Sequence, residues 1–109
     1  MYGINEIDPQ TLAQWQREGK PFRLVDVRSP AEFAQGMIPR GEQLPLHLLP
    51  LRADEIAAEQ PTVFYCRTGA RSAQACSFMS QRGNGNVYNL RGGIIGWARE
   101  GLPLAGAAG

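Results

Sequence analysis

Residues 62–72 read Thr-Val-Phe-Tyr-Cys-Arg-Thr-Gly-Ala-Arg-Ser, and this stretch decides the fold. Thr62–Tyr65 combines β-branched and aromatic residues, which is typical of a buried strand. Ser72–Arg82 has a helical composition and is followed by Gly83, a residue typical of a helix C-terminus. The stretch therefore predicts a strand that ends at Cys66, a tight loop and a helix.

Strands and helices alternate along the rest of the chain. Further strands are predicted at Tyr2–Ile7, Phe22–Val27, part of Ile38–Leu46, and Asn86–Leu90. Further helices are predicted from Pro9 to Gly19, from Ser29 to Gln35, in part of His47–Glu59, and over Ile94–Arg99. Asp8 suits the N-cap of the first helix, and Ser29 with Glu32 has the pattern of a capping box. This alternation indicates an α/β fold with a mostly parallel sheet.

The composition limits the classes of function. The chain has 109 residues and a net charge of +1, which argues against nucleic acid or a membrane surface as the main partner. No apolar run approaches the length of a membrane span, and the first 20 residues do not resemble a signal peptide. Two cysteines are too few for a disulfide scaffold or a cysteine-rich zinc site. We expect a cytoplasmic protein without metal or other cofactor, with one domain over residues 1–104 and a flexible tail over 105–109.

The loop after Cys66 has the composition of an anion cradle. A tight curl points successive backbone N–H groups at the sulfur, and the helix that follows adds its positive end. Arg67 and Arg71 supply positive charge, Gly69 supplies backbone freedom, and Thr68 and Ser72 supply hydroxyl groups, Ser72 also suiting an N-cap. These features favour thiolate over thiol, so we predict a nucleophilic Cys66 that faces an anionic substrate.

The spacing of the loop bears on which anion it takes. The signature of protein tyrosine phosphatases places arginine six positions after the cysteine, whereas Arg71 lies five positions after Cys66. A loop one residue shorter forms a smaller ring of amides, which suits a single sulfur better than a tetrahedral phosphate. The spacing therefore disfavours a phosphatase.

Four segments, in the same order as in a known family, are decisive when taken together. They are Leu24–Arg28 with Glu32-Phe33, Gly36–Pro39, Cys66–Ser72, and Asn89–Ile94 with Trp97 and Gly101–Pro103. The chain thus resembles the single-domain rhodanese-like sulfurtransferases over nearly its whole length. The resemblance implies a rhodanese-like α/β fold, with a central, mostly parallel five-stranded sheet and helices on both faces. Met37 stands where the family often has histidine, which could alter the rim that meets substrates.

The resemblance also implies an enzyme of the thiosulfate sulfurtransferase type. Cys66 would take the sulfane sulfur of a small anionic donor such as thiosulfate, forming a persulfide, and pass it to cyanide or a thiol. Arg67 and Arg71 would hold the donor. The amides of Thr68, Gly69, Ala70, Arg71 and Ser72 would stabilise the thiolate and then the persulfide.

Three other functions compete with this hypothesis. The first is a carrier module that hands the persulfide of Cys66 to a partner in a sulfur relay and has weak thiosulfate activity. The second is the disfavoured phosphatase or arsenate-type enzyme. The third is a non-catalytic recognition domain, against which an intact Cys66 argues.

The residues outside the loop have plainer expected roles. Cys76 lies on a core stripe with Ala73 and Met79, so it is predicted to be packing rather than a resolving cysteine. Arg28 and Glu32 are predicted to form an ion pair. Strand alternation predicts that the ring of Tyr65 points away from the pocket.

Overall fold

A single parallel sheet organises the computed structural model, which describes residues 4–106. The strands are β1 (Glu6–Ile7), β2 (Arg23–Asp26), β3 (Glu42–Gln43), β4 (Thr62–Tyr65) and β5 (Val87–Leu90). Their order across the sheet is β1-β5-β4-β2-β3, and every pairing is parallel. β4 therefore occupies the centre, and the segments that leave β2, β4 and β5 emerge side by side at one edge.

The helices cover both faces of the sheet. They are α1 (Pro9–Glu18), α2 (Pro30–Phe33), α3 (Leu49–Arg52), α4 (Ala70–Gln81) and α5 (Gly93–Arg99), and 3₁₀ turns flank α3 at Leu46–Leu48 and Ala53–Glu55. Side chains of α1 and α5 join one buried cluster, whereas side chains of α3 and α4 join the other. The predicted α/β fold with a five-stranded sheet between two helical layers is confirmed.

Strand β4 shows how the sequence assigns residues to these two layers. Val63 and Tyr65 pack with the α1 and α5 layer, whereas Phe64 and Cys66 pack with the α3 and α4 layer. All four are 1% exposed or less, as expected for a central strand buried on both faces. Tyr65 and Cys66 thus lie on opposite faces, as alternation predicts.

The predicted starts of α1 and α2 are confirmed. Asp8 Oδ1 accepts a hydrogen bond of 2.7 Å from the Thr11 N–H. Ser29 and Glu32 form a reciprocal capping box at the start of α2. These local signals need only three or four neighbouring residues, which explains why they are visible in the sequence.

Several predicted boundaries differ from the structure. Helix α2 ends at Phe33 rather than Gln35, and α4 begins at Ala70, two residues before the expected start at Ser72. The segment His47–Glu59 contains one four-residue α-helix and 3₁₀ turns. Part of the first predicted strand, at Tyr2 and Gly3, lies outside the described residues.

The C-terminal segment reaches back to the body of the domain. Ala105, the first residue of the predicted tail, exchanges two backbone hydrogen bonds with Met37, of 2.7 and 2.8 Å. Ordered pairing therefore extends to this residue, while 107–109 lie outside the described part. Within residues 4–106, no helix is both long and apolar enough to cross a membrane.

Candidate active site at the end of the central strand

Cys66 follows the last residue of β4 and lies at the carboxyl edge of the sheet. The residue is only 1% exposed. Its neighbours in the sheet, β2 and β5, bring the segments after Asp26 and Leu90 to the same edge. This edge of a parallel α/β sheet is where ligands usually bind, so the topology places Cys66 at the expected position.

The loop curls around the sulfur because Gly69 adopts a left-handed conformation. Its φ of +117° is one that side-chain-bearing residues rarely adopt. In this conformation the Gly69 N–H donates a hydrogen bond of 3.1 Å to Cys66 Sγ. Gly69 is also the residue that precedes α4, so the same turn starts the helix.

Ser72 does not cap this helix, contrary to the N-cap expectation. Because α4 begins at Ala70, Ser72 lies inside the first turn, where it is fully buried. Its Oγ lies 3.4 Å from Cys66 Sγ. The hydroxyl therefore faces the sulfur from the helix rather than closing the helix end.

The surroundings of Cys66 change the ionisation of its thiol. Burial raises the pKa, but hydrogen bonds from the Ser72 hydroxyl and from the backbone N–H groups of Ser72, Gly69 and Thr68 together outweigh it. The net pKa of Cys66 lies below the ordinary thiol value. A buried sulfur in a ring of donors is thus more readily ionised than a free cysteine.

Arg71 is anchored by an ion pair that we did not predict. Its guanidinium donates two hydrogen bonds of 2.8 Å to the two carboxylate oxygens of Glu32. These bonds, with further ones from Ser29, lower the pKa of Glu32 to about 2. Arg71 is therefore fixed beside the loop with much of its charge balanced.

The predicted ion pair between Arg28 and Glu32 is wrong. Arg28 instead binds the buried carboxylate of Asp26, with distances of 2.7–3.0 Å, and also donates to the carbonyl of Gly36 at 2.7 Å. Arg28 precedes α2, so it does not share a helical face with Glu32, and Asp26 is the nearer acceptor. The two acidic residues thus each hold a different arginine.

Arg67 has a more open setting. It is exposed and lines a cleft of about 260 Å³ next to the loop. The lining of this cleft includes an apolar wall formed by Ile94, Ile95 and Leu104, and it also includes the charged side chains of Arg28 and Glu32. Among the arginines at the loop in the described chain, Arg67 is the one without a carboxylate partner.

The first turn of α5, which follows Gly92 and starts at Gly93, contacts the backbone of the cysteine loop. The role of Gly93 was not predicted from the sequence. The N–H groups of Ile94 and Ile95 donate to the carbonyls of Cys66 and Arg67, at 2.9 and 3.2 Å. A Cβ on Gly93 would lie 2.6 Å from the Cys66 oxygen and would also overlap the carbonyl of Arg67. The Gly92-Gly93 pair was the available signal, since paired glycines often mark a close backbone approach.

Asn89 of β5 was also missed as part of this edge. Its Oδ1 accepts a hydrogen bond of 2.5 Å from Ser72 Oγ, and its Nδ2 donates to the carbonyl of Gly69 at 3.2 Å. The side chain is 5% exposed. Asn89 thus links the first turn of α4 to the residue that shapes the loop.

Cys76 has the opposite environment, as predicted. It is buried in the core cluster beside Ala75 and Met79, with no hydrogen-bond partner among the described residues. Burial raises the pKa of Cys76 to about 12. This thiol is neutral packing material at physiological pH.

Comparison with known proteins agrees with this geometry. Residues 8–100 match the family described as the rhodanese-like domain. A sulfurtransferase of Allochromatium vinosum is 54% identical over 97% of this chain and 99% of its own. A thiosulfate sulfurtransferase, GlpE, of Actinobacillus pleuropneumoniae is 37% identical over 93% of both chains.

Solved structures agree as well. A rhodanese-like domain protein from Staphylococcus aureus is similar with a TM-score of 0.83 and 29% identity, over 92% of this chain and 97% of that one. Membership of one family therefore explains the order of the motifs, the parallel sheet and the cysteine loop. The chain belongs to the rhodanese-like domain family.

Proposed function

We propose that this protein is a sulfurtransferase that moves a sulfane sulfur from a donor such as thiosulfate to a thiophilic acceptor through a persulfide on Cys66. The observation that carries the proposal is the ring of donors around a buried sulfur whose pKa is lowered. The sulfurtransferase relatives support the same class of reaction. The other cysteine, Cys76, is equally buried, but its pKa is raised by burial to about 12.

The first half-reaction loads the enzyme. The Cys66 thiolate attacks the outer sulfur of thiosulfate, a new S–S bond forms, and the S–S bond of thiosulfate breaks. Sulfite leaves with the electron pair of that bond, and Cys66 carries a persulfide. Arg67, which has no carboxylate partner among residues 4–106, attracts the anionic donor, and the loop amides of residues 68–72 stabilise the sulfur's negative charge.

The second half-reaction regenerates the thiolate. A nucleophilic acceptor such as cyanide or a thiolate attacks the outer sulfur of the persulfide, and the S–S bond to Cys66 breaks. The electron pair of that bond returns to Cys66 as the thiolate, so no external oxidant or reductant is needed. Two successive transfers through one covalent intermediate predict ping-pong kinetics.

Intact-mass measurement tests the loaded state. Incubation with thiosulfate should add one sulfur atom to the wild-type protein, and cyanide should remove it. Cys66→Ser should gain none, whereas the matched control Cys76→Ala should load as the wild type does. An unchanged wild-type mass with every donor tested, or equal loading of Cys66→Ser, would overturn the proposal.

A second candidate function is a carrier that receives its sulfur from a protein-bound persulfide and hands it to a partner. The cleft beside Arg67 favours it, because its volume of about 260 Å³ and its apolar wall exceed what a thiosulfate ion needs. Leu104 on that wall is 44% exposed. Loading that is fast from a persulfide-bearing cysteine desulfurase and slow from thiosulfate would favour the carrier, and the reverse would favour the enzyme.

A further inference from the structure

The hydroxyl of Ser72 has two acceptors and only one proton. Its Oγ lies 2.5 Å from Asn89 Oδ1 and 3.4 Å from Cys66 Sγ. All three groups are buried, so solvent water does not readily replace a missing hydrogen bond. The position of this proton therefore depends on which of the two neighbours, Asn89 Oδ1 or Cys66 Sγ, is the stronger acceptor.

The orientation of the Asn89 side chain is determined by a second contact. Its Nδ2 donates to the Gly69 carbonyl at 3.2 Å, so the amide oxygen faces Ser72. Turning the amide over would bring two oxygens together at Gly69. Asn89 is consequently an acceptor toward Ser72 and not a donor.

The ionisation state of Cys66 decides whether the chain of hydrogen bonds is complete. In the thiol state the S–H is able to donate to Ser72 Oγ while Ser72 donates to Asn89, and this arrangement satisfies every group. In the thiolate state the sulfur can only accept. Ser72 then either turns its proton to the sulfur and leaves Asn89 Oδ1 without a donor, or keeps its bond to Asn89 and presents a lone pair to the thiolate.

We infer that Asn89 is a positioning residue that acts through Ser72 to favour the thiol form of Cys66, in opposition to the loop amides. This inference rests on the proposed function only in that Cys66 is the reacting sulfur. The device would limit the thiolate population in the free protein. After loading, the negative charge sits on the outer sulfur, and Ser72 returns its proton to Asn89.

The charged groups around the loop remain the same in the experiment below. They are Arg67 and Arg71 on the loop and α4, Glu32 on α2, Asp26 at the end of β2, Arg28 after β2, and Arg91 after β5. Substitution of a neutral amide by a neutral side chain does not alter any of them. A change in the Cys66 pKa therefore reports the hydrogen bonds and not a change of charge.

The test measures the thiol pKa of Cys66 from the pH dependence of iodoacetamide alkylation, followed by peptide mass mapping. Asn89→Leu, which is nearly isosteric and lacks the acceptor, should lower this pKa by roughly half to one pH unit, with a three- to tenfold faster alkylation below the pKa. Asn89→Ala serves as a second variant with the same expected direction, and thermal unfolding shows which variants are folded.

The same substitutions in a Ser72→Ala background distinguish an effect of Asn89 that passes through the Ser72 hydroxyl from a general structural effect on the loop. If Asn89 acts through the Ser72 proton, Asn89→Leu should leave the Cys66 pKa unchanged once the hydroxyl is absent. An unchanged or raised pKa in the single variants, or an equal fall in the Ser72→Ala background, would overturn the inference. Alkylation needs no sulfur donor, so a failure of sulfur loading would count against the proposed function and not against this inference.

Discussion

The two cysteines of this protein differ in chemistry although they do not differ in burial. Cys66 and Cys76 are each 1% exposed and pack in the same core cluster. The pKa of Cys66 is below the ordinary value, whereas burial raises that of Cys76 to about 12. The comparison shows that burial alone makes a thiol inert, and that oriented donors at the end of a strand reverse its effect.

The backbone accounts for the difference. Cys76 lies inside α4, where the N–H groups of neighbouring residues are engaged in helical hydrogen bonds. Cys66 lies just before that helix, where N–H groups at the helix start have no helical partner and turn to the sulfur. Ten positions along the chain therefore separate a reactive from an unreactive environment.

The largest expected effect is in the alkylation of the native protein. At pH 7 a thiol with a pKa of about 12 is ionised to about one part in 10⁵. A free cysteine, at its ordinary pKa of about 8.5, is ionised to about 3%, and the pKa of Cys66 lies below the ordinary thiol value. Iodoacetamide should therefore modify Cys66 at least about a thousandfold faster than Cys76, as peptide mass mapping would show. In denaturant both should react at similar rates, and equal rates in the native protein would contradict the proposed difference between the two thiols.

The next effect concerns the support behind the loop. Gly93→Ala places a Cβ against the carbonyls of Cys66 and Arg67, so the loop must shift. The N–H groups of the shifted loop no longer donate to the sulfur with the same geometry. A displacement of this kind commonly reduces rates by about a hundredfold, and we expect that loss in thiosulfate loading. The pKa of Cys66 should rise toward that of Cys76.

Gly19→Ala is the matched control for this substitution. Gly19 has a similar left-handed φ of +68°, but no atom lies within 4 Å of its Cβ position. Both variants should lose about 1 kcal/mol of stability from backbone strain alone, measured by denaturant unfolding. Loading by Gly19→Ala should match the wild type. A similar loss of loading in both variants would mean that strain, and not the close approach of Gly93, limits the loop.

Interactions between residues that are close in the sequence could be predicted, whereas those between distant residues could not. The Asp8 cap, the capping box at Ser29 and the curl at Gly69 each depend on a few adjacent residues, and each was recognised. The start of α4 was placed two residues late because Gly69 precedes it without a side-chain cap, so the usual polar signal is missing.

The missed contacts join residues that are distant in sequence. The partner of Arg71 is Glu32, 39 positions away, and the contact between Gly93 and Arg67 requires β5 to lie beside β4. Arg28 and Glu32 lie four positions apart, a spacing that suggests a helical ion pair, but Arg28 lies outside α2. Such pairs follow from the order of strands in the sheet, which the residue pattern alone does not determine.

The smallest effect concerns the ion pair that anchors Arg71. Glu32→Gln removes a charge from two short hydrogen bonds, and at pH 7 the variant should be less stable by about 1 kcal/mol in denaturant unfolding. The pKa of Cys66 should fall slightly, since a negative charge near the thiolate is removed, and that of Cys76 should not change. Glu55→Gln is the control, because Arg52 and Glu55 form a pair with both side chains about half exposed, and it should have little effect.

The acid side of the stability profile gives this prediction a second readout. The folded pKa of Glu32, about 2, lies below that of the unfolded chain, near 4.5, so its contribution to stability is present above pH 4.5. As the pH falls from about 4.5 to about 2 the carboxylate is protonated and the contribution is lost. The stability difference between wild type and Glu32→Gln should therefore shrink over this window. A stability difference that stays constant down to pH 2 would mean that Glu32 stabilises the protein by packing and not by its ion pair with Arg71.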